Sequence, residues 1–236
     1  MQQNHGFVSV PRTLRALTLL VAAQLSTLLP GSSSTAEAQT IVPVDSFRSV
    51  ELHSGGRVVL RPGPTPRVTL IKGTLEYTNV SSENGGRLVI KSCPGGCPRG
   101  YKVEVEVVTP EIAGIVVENG GTLQLQGSFP VQAEVRVDVR NGGTIDIRQL
   151  AAERVTASVE QGGRIFTTPR SDLSAKVVQG GLIQYWGDAR VEKSVTHGGV
   201  IVKGQADEAD KPLEEIGSSL PPVPPVPTPP RIRGDR

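Results

Sequence analysis

The chain has 236 residues, a formal net charge of +2, 27 glycines and only 3% aromatic residues. This near-neutral balance argues against a nucleic acid as the main partner, because nucleic-acid-binding proteins carry clustered basic charge. With so few aromatic rings, the core must be filled mainly by small branched side chains.

Residues 1–38 have the pattern of a secretory signal peptide. Two arginines precede an apolar run from Ala16 to Leu29, and the sequence "AEA" at 36–38 has the small residues that signal peptidase recognises. The run is shorter than the roughly 20 apolar residues of a membrane span. We expect cleavage before Gln39 and an exported chain, either periplasmic, secreted or associated with the cell surface, with no membrane span after cleavage. Its net charge would be +1, from 23 basic and 22 acidic residues.

Seven double glycines follow, apart from the one between the two cysteines, and the last four intervals between them are 22, 20, 18 and 18 residues. A period of this length is typical of repeat architectures. We interpret the pairs as structural corners, since glycine adopts positive φ and lets neighbouring backbones approach closely. They are Gly55, Gly56, Gly85, Gly86, Gly120, Gly121, Gly142, Gly143, Gly162, Gly163, Gly180, Gly181, Gly198 and Gly199.

Alignment on these pairs gives aliphatic columns separated by polar residues, which is the period-two pattern of strands. The column after the pair holds Val58, Leu88, Leu123, Ile145, Ile165, Ile183 and Ile201. The column three residues before the pair holds Leu52, Ser82, Val117, Val139, Val159, Val177 and Val195.

The pattern predicts an all-β fold: a parallel β-helix-like solenoid, coiled as a single strand with three short strands per rung. Polar residues before the later corners would stack as a side-chain ladder, as amides do in stacked β structures; these are Asn119, Asn141, Gln161, Gln179 and His197. β-hairpins are the alternative, because Asn-Gly is a strong hairpin signal, and Asn84 or Asn119 fits one best.

Three segments follow from this interpretation. Residues 39–205 form the domain, in which 39–109 are a less regular, partly antiparallel capping part and 110–205 are regular rungs. Residues 206–236 are Pro-rich and predict a disordered tail. We assign no role to the Arg-Gly-Asp tripeptide at 233–235.

Cys93 and Cys97 are the only cysteines, and in an exported chain they predict a local disulfide. A zinc site would need further ligands that the neighbouring sequence lacks. A redox-active pair would more typically have Cys-x-x-Cys spacing. We predict no metal and no cofactor.

The sequence contains no assignable catalytic constellation. His53 and His197 lie beside corners, where polar residues are expected. Glu118, Arg140 and Glu160 read as a stripe of alternating charge rather than the converging acids of a polysaccharide-degrading enzyme.

Tyr185 and Trp186 are the densest aromatic spot of the chain. An exposed ring pair could stack on a sugar. The alternative is that the pair packs under the last rung or the tail, as large rings usually do.

The opening "VDSFRSVELHSGGRVVL" and the recurring V-x-[NQ]-G-G-x-[IL] units resemble the putative auto-transporter adhesin head domains called GIN domains, from about Val44 to Gly204. This resemblance implies an exported bacterial β-solenoid without established catalytic residues. We expect a noncatalytic cell-envelope module that adheres to a surface protein or glycan. A polysaccharide-binding or polysaccharide-degrading protein and a structural envelope protein tethered by its Pro-rich tail are the alternatives.

Overall fold

The computed structural model describes residues 39–83, 85–213 and 215–216, so the predicted signal peptide and residues 217–236 lie outside it. The described chain is all-β, with a 15-stranded sheet and one short 3-10 helix at Ala206–Glu208. The strands are β1 Thr40–Val42, β2 Ser49–His53, β3 Arg57–Pro62, β4 Arg67–Lys72, β5 Thr78–Glu83, β6 Arg87–Ser92, β7 Glu104–Thr109, β8 Gly114–Glu118, β9 Thr122–Leu125, β10 Gln132–Arg140, β11 Thr144–Gln161, β12 Arg164–Gln179, β13 Leu182–Tyr185, β14 Arg190–Val195 and β15 Val200–Lys203.

The hydrogen-bonded strands form two faces, which we name by whether most of their strands precede or follow a double glycine. The pre-glycine face contains β5, β6, β2, β8, β10, the second half of β11, the second half of β12 and β14, in that order. The post-glycine face contains β1, β4, β7, β3, β9, the first half of β11, the first half of β12, β13 and β15.

The predicted aliphatic columns coincide with the register of these parallel pairs at six of the seven double glycines. After the glycines, the register runs Val58↔Leu123↔Ile145↔Ile165↔Ile183↔Ile201. Before the glycines it runs Leu52↔Val117↔Val139↔Val159↔Val177↔Val195. Within these two faces, each of these six repeats therefore lies directly on its neighbour without a register slip.

At the later corners, from Gly121 to Gly199, the second glycine of the pair makes this close stacking possible. At Gly181, φ is +102°, and an added Cβ would lie 2.5 Å from Val159 Cγ1 and 2.9 Å from the carbonyl oxygen of Gly163. That same oxygen accepts a 3.0 Å hydrogen bond from the backbone N–H of Leu182. A side chain at this position would thus push apart two hydrogen-bonded repeats.

Gly85 and Gly86 are the exception, and their assignment as an equivalent corner is wrong. β5 and β6 are antiparallel, with Glu83 opposite Arg87, so this pair belongs to a hairpin connection. Leu88 consequently aligns with Val50 on the pre-glycine face. Gly85 and Gly86 both have positive φ, as hairpin turns favour, whereas Asn119 stands at a corner between β8 and β9.

The antiparallel pairs of the described sheet, β1–β4, β4–β7 and β5–β6, all lie between Thr40 and Thr109. β1 and β5 are the terminal strands of the two faces at this end.

The third strand predicted for each repeat is not a separate element in the described residues. β11 and β12 continue without a break from one double glycine to the next. Their pairing has register shifts on both sides of Ala152, so β-bulges absorb the bend where the sequence offers no glycine pair.

The interior of the stack is filled by aliphatic side chains, as the composition predicts. Val139, Val159 and Val177 are fully buried, but Val195 is 47% exposed. The inward position of Val195 was therefore predicted wrongly. Among the described strands, β14 pairs with β12 alone and is an edge strand, so no further repeat of the described chain covers that side chain.

The boundary of a disordered tail at residue 206 is also wrong. Residues 205–213 and 215–216, which we call the strap, lie against the outer surface of the post-glycine face. Ile216 is fully buried in a second apolar cluster with Phe166, Leu182 and Trp186, against which Leu213 also packs. This cluster is separate from the interior of the stack.

Candidate functional site

Four depressions on the post-glycine face share Arg57 as a lining residue. One of about 240 Å³ is lined by Arg57, Thr122, Gln124, Thr144, Arg164, Phe166 and Leu213. A neighbouring depression of about 310 Å³ also contains Arg57 and Gln124, together with Arg148 and strap residues from Ala209 to Leu213. We call the combined surface the Arg57 groove.

The floor of the groove follows the strand register. Arg57, Thr122, Thr144 and Arg164 are successive partners on β3, β9, β11 and β12. Each follows a double glycine directly, so each begins a strand and alternates with a buried aliphatic neighbour such as Leu123. Gln124, two residues beyond Thr122, lies on the same outer side.

These five polar side chains, Arg57, Thr122, Gln124, Thr144 and Arg164, make no hydrogen bond or ion pair with any other part of the chain that the structure describes. Charged groups close by are mostly paired. Arg61 Nε lies 2.9 Å from Glu106 Oε2, and Lys72 Nζ lies 2.7 Å from Glu104 Oε2. The groove thus offers donors and acceptors that the fold itself leaves unused.

The strap forms one wall of the groove, and Arg148 holds it. One guanidinium nitrogen of Arg148 donates to the carbonyl oxygens of Glu208, Ala209 and Lys211 at 3.1, 3.0 and 2.8 Å. Its Nε and its other terminal nitrogen donate to the Asp146 carboxylate at 2.9 and 2.7 Å. The side chain is only 8% exposed, so a buried cation, ion-paired with Asp146, fixes the strap.

Tyr185 and Trp186 do not offer rings to a ligand. Trp186 is 3% exposed and Tyr185 8%. Trp186 Nε1 donates to the carbonyl oxygen of Gln205 at 2.8 Å, and its ring packs 6.3 Å from that of Phe166. The predicted ligand-stacking role of the two rings is therefore wrong, because both are buried. The strap covers Trp186, as the alternative interpretation of the sequence expected.

The predicted side-chain ladder is present as two separate pairs. Asn141 Nδ2 donates to Asn119 Oδ1 at 3.1 Å, and Gln161 Nε2 donates to Gln179 Oε1 at 3.3 Å. The ladder is interrupted between Asn141 and Gln161, where the backbone conformation changes. Asn119 and Asn141 have φ of 58° and 56°, whereas Gln161 and Gln179 continue their strands. Asparagine tolerates this left-handed conformation better than glutamine. The side chain of His197 adds no further link within the described residues.

Cys93 and Cys97 are joined by a disulfide, with their Cα atoms 5.1 Å apart. The bond closes the loop after β6. It lies outside the residues that line the Arg57 groove.

One cluster that the sequence did not indicate lies on the pre-glycine face. His53 Nε2 is 3.3 Å from Glu51 Oε2, and His53 Nδ1 is 3.1 Å from Glu118 Oε2, so two neighbouring strands each supply a carboxylate to one ring. None of the three residues lines the Arg57 groove. No group of three or more His, Cys, Asp or Glu in the described ranges is arranged to hold a metal ion.

The groove residues could have been found from the sequence by one signal. Four of the five polar groove residues occupy the position directly after a double glycine, a column that holds Arg57, Thr122, Thr144 and Arg164 before it turns apolar at Leu182 and Val200. Only the structure shows that these side chains lack protein partners.

Comparison with known proteins bears on the same region. Residues 131–189 match the family described as putative auto-transporter adhesin, head GIN domain. The predicted GIN resemblance is confirmed. The GIN match covers the whole of β10 to β13, with the double glycines at 142–143, 162–163 and 180–181.

Several solved structures are similar to the chain. A putative adhesin from Bacteroides fragilis has 16% identity and a TM-score of 0.42, covering 71% of this chain and 96% of its own. A putative cell adhesion protein from Clostridium sporogenes has 10% identity and a TM-score of 0.35, with 71% and 99% covered. A putative lipid binding protein from Parabacteroides distasonis has 14% identity and a TM-score of 0.31, with 71% and 96% covered. No curated protein matches the sequence. Among the described residues, no helix is long and apolar enough to cross a bilayer.

Proposed function

We propose that this protein is an exported, noncatalytic β-solenoid that attaches to a polymer of the cell surface through the Arg57 groove. The solenoid interpretation is supported by the unslipped parallel register on both faces. Export is supported by the signal-peptide pattern of residues 1–38 and by the GIN match. The antiparallel strands between Thr40 and Thr109 protect one end of the coil from edge pairing.

The observation that carries the binding role is the set of five unpaired polar side chains in register on the post-glycine face. An exposed row of donors and acceptors on rigid strands can bind a partner without first breaking internal hydrogen bonds. Two acidic side chains line the groove: Asp146 is held by Arg148, and Asp210 is an exposed residue of the strap. The groove therefore favours binding over acid–base catalysis.

The corner glycines and the amide pairs serve this function indirectly. They keep the strands stacked at about 4.8 Å and in register, so the groove is flat and regular. The strap supplies the wall and fixes the point from which residues 217–236 continue.

A pair of bulky substitutions tests the binding face. Fluorescently labelled chain is added to isolated envelope polysaccharide and protein fractions, and bound label is measured. Thr144→Trp fills the groove floor, whereas Ser158→Trp places the same ring on the pre-glycine face. We expect Thr144→Trp to abolish binding and Ser158→Trp to retain it. Binding to no fraction, or equal loss in both variants, contradicts the proposal.

A further inference from the structure

The Arg57 groove carries two unpaired guanidinium groups at a fixed separation. Arg57 and Arg164 are three register steps apart, through Thr122 and Thr144. Strands in a sheet lie about 4.8 Å apart, so the backbone positions of the two arginines are about 14 Å apart. Between them lie hydroxyl groups and the Gln124 amide.

Arginine without an acidic partner suits an anionic ligand. Its planar guanidinium matches the two oxygens of a carboxylate, and such charge-assisted bonds are stronger than neutral ones. Threonine hydroxyls and a glutamine amide both donate and accept, as the hydroxyl groups of a sugar require. The groove thus combines contacts for carboxylates with contacts for alcohols.

The charge around the groove limits how anionic the ligand can be. Asp210 of the strap lines the depression next to Arg57, and Glu104 and Glu106 lie on the neighbouring strand β7. Lys72 and Arg61 already pair with these two glutamates, so Asp210 is the added negative charge beside Arg57. The two arginines of the floor then supply two separated positive charges, which suit a chain with one carboxylate per sugar better than a more densely charged phosphate polymer. Neutral sugars lack an attraction here, because the rings of Phe166 and Trp186 are buried instead of open to stacking.

We infer that the ligand of the Arg57 groove is an acidic polysaccharide whose uronate carboxylates bind Arg57 and Arg164 while its hydroxyl groups bind Thr122, Gln124 and Thr144. This inference rests on the proposed function, since it names the polymer that the groove holds. The extended sugar chain runs across the strands, along the axis on which the repeats stack.

The test is a titration of the chain from Gln39 to Arg236 with polygalacturonate, measured by isothermal calorimetry at low salt. Arg57→Gln and Arg164→Gln each remove one charge-assisted contact, so we expect each to weaken binding about 10-fold or more. Arg154→Gln is the matched control, because Arg154 lies on the other face with its side chain 57% exposed. We expect the control to bind within about twofold of the parent chain, since exposed pairs contribute little.

Two comparison polymers separate the ligand class from the binding role. Carboxyl-reduced polygalacturonate should not bind, and dextran sulfate should bind more weakly than polygalacturonate. Unchanged binding of polygalacturonate by the double variant would overturn the inference. Binding of the carboxyl-reduced polymer through the groove would overturn the inference but leave the proposed function standing. If no surface polymer binds at all, both fail. The arginines are exposed, and unchanged unfolding curves verify that the variants fold.

Discussion

At the scale of single residues, the two positions of a corner double glycine meet different steric constraints. The first glycine, such as Gly180, has a positive φ but open space where a Cβ would lie. The second, such as Gly181, has a positive φ and in addition touches the repeat before it. The two positions should therefore respond differently to the same substitution.

Gly181→Ala should destabilise the protein by about 2 kcal/mol or more, because left-handed strain and overpacking against Val159 and Gly163 add together. Gly180→Ala should cost about 1 kcal/mol, from backbone strain alone. Urea unfolding of both variants measures the difference. Equal losses would show that stacking contact does not restrict the second position.

Asp138, on the pre-glycine face, gives a pH-dependent prediction. Burial raises the pKa of its carboxyl above the ordinary value of 3.8, against the opposing pull of Arg136 and Arg140. The neutral form is therefore favoured by folding. That contribution is fully present below pH 3.8 and is lost as pH rises through the folded pKa.

Asp138→Asn should consequently raise the free energy of unfolding at pH 7, and the gain should shrink towards pH 3. Glu134→Gln is the control, since Glu134 is 60% exposed and should change stability by less than about 0.5 kcal/mol. Unfolding curves at both pH values measure this. A loss of stability at pH 7 in the Asn variant would mean that attraction to the arginines outweighs burial.

At the scale of elements, the strap is held by one residue more than by any other. Arg148 bonds to three strap carbonyls and to Asp146, and lies 5.9 and 5.6 Å from the ring centroids of Phe166 and Trp186. Each interaction is modest alone, but together they hold a segment that is only a short helical turn and coil.

Arg148→Ala should release the strap without unfolding the stack. We expect faster amide hydrogen exchange in residues 205–216 and unchanged exchange in the buried strands β10–β12, with Arg154→Ala as an exposed control. The loss would also leave the Asp146 carboxylate without its partner, at a stability cost of about 3 kcal/mol. Strap exchange that stays slow in the variant would assign its attachment to the apolar cluster instead.

At the scale of the whole molecule, the repeat was predictable because each corner has the same local chemistry. The alternation around Gly142–Gly143 or Gly162–Gly163 fixes which side chains face inward, and spacing then fixes their register. The prediction from sequence failed where the place of a residue in the stack, and not its local pattern, determines its burial or its type of turn. Val195 has the repeat pattern but lacks a covering strand, and Gly85–Gly86 lies in a hairpin despite its identical letters.

The groove and strap were less accessible to prediction for a related reason. Leu213 and Ile216 are isolated apolar residues beside a Pro-rich segment, and their partner Phe166 points outward from a strand. No local sequence pattern predicts that an outward-facing aromatic ring is buried by a segment distant in sequence. Likewise, Arg57 and Arg164 are far apart in sequence, and only the register of four strands puts them in one groove.

The claim that supports both the fold and the groove is the parallel stack of repeats. Glu51 and Ser194 are joined by five register steps on the pre-glycine face, and Asp138 and Ser194 by three. Pulsed electron paramagnetic resonance of spin labels at Glu51→Cys with Ser194→Cys, and at Asp138→Cys with Ser194→Cys, measures both spans, since the native cysteines are already bonded. At about 4.8 Å per step, the backbone separations should be about 24 and 14 Å. A first distance equal to or shorter than the second would contradict the stack.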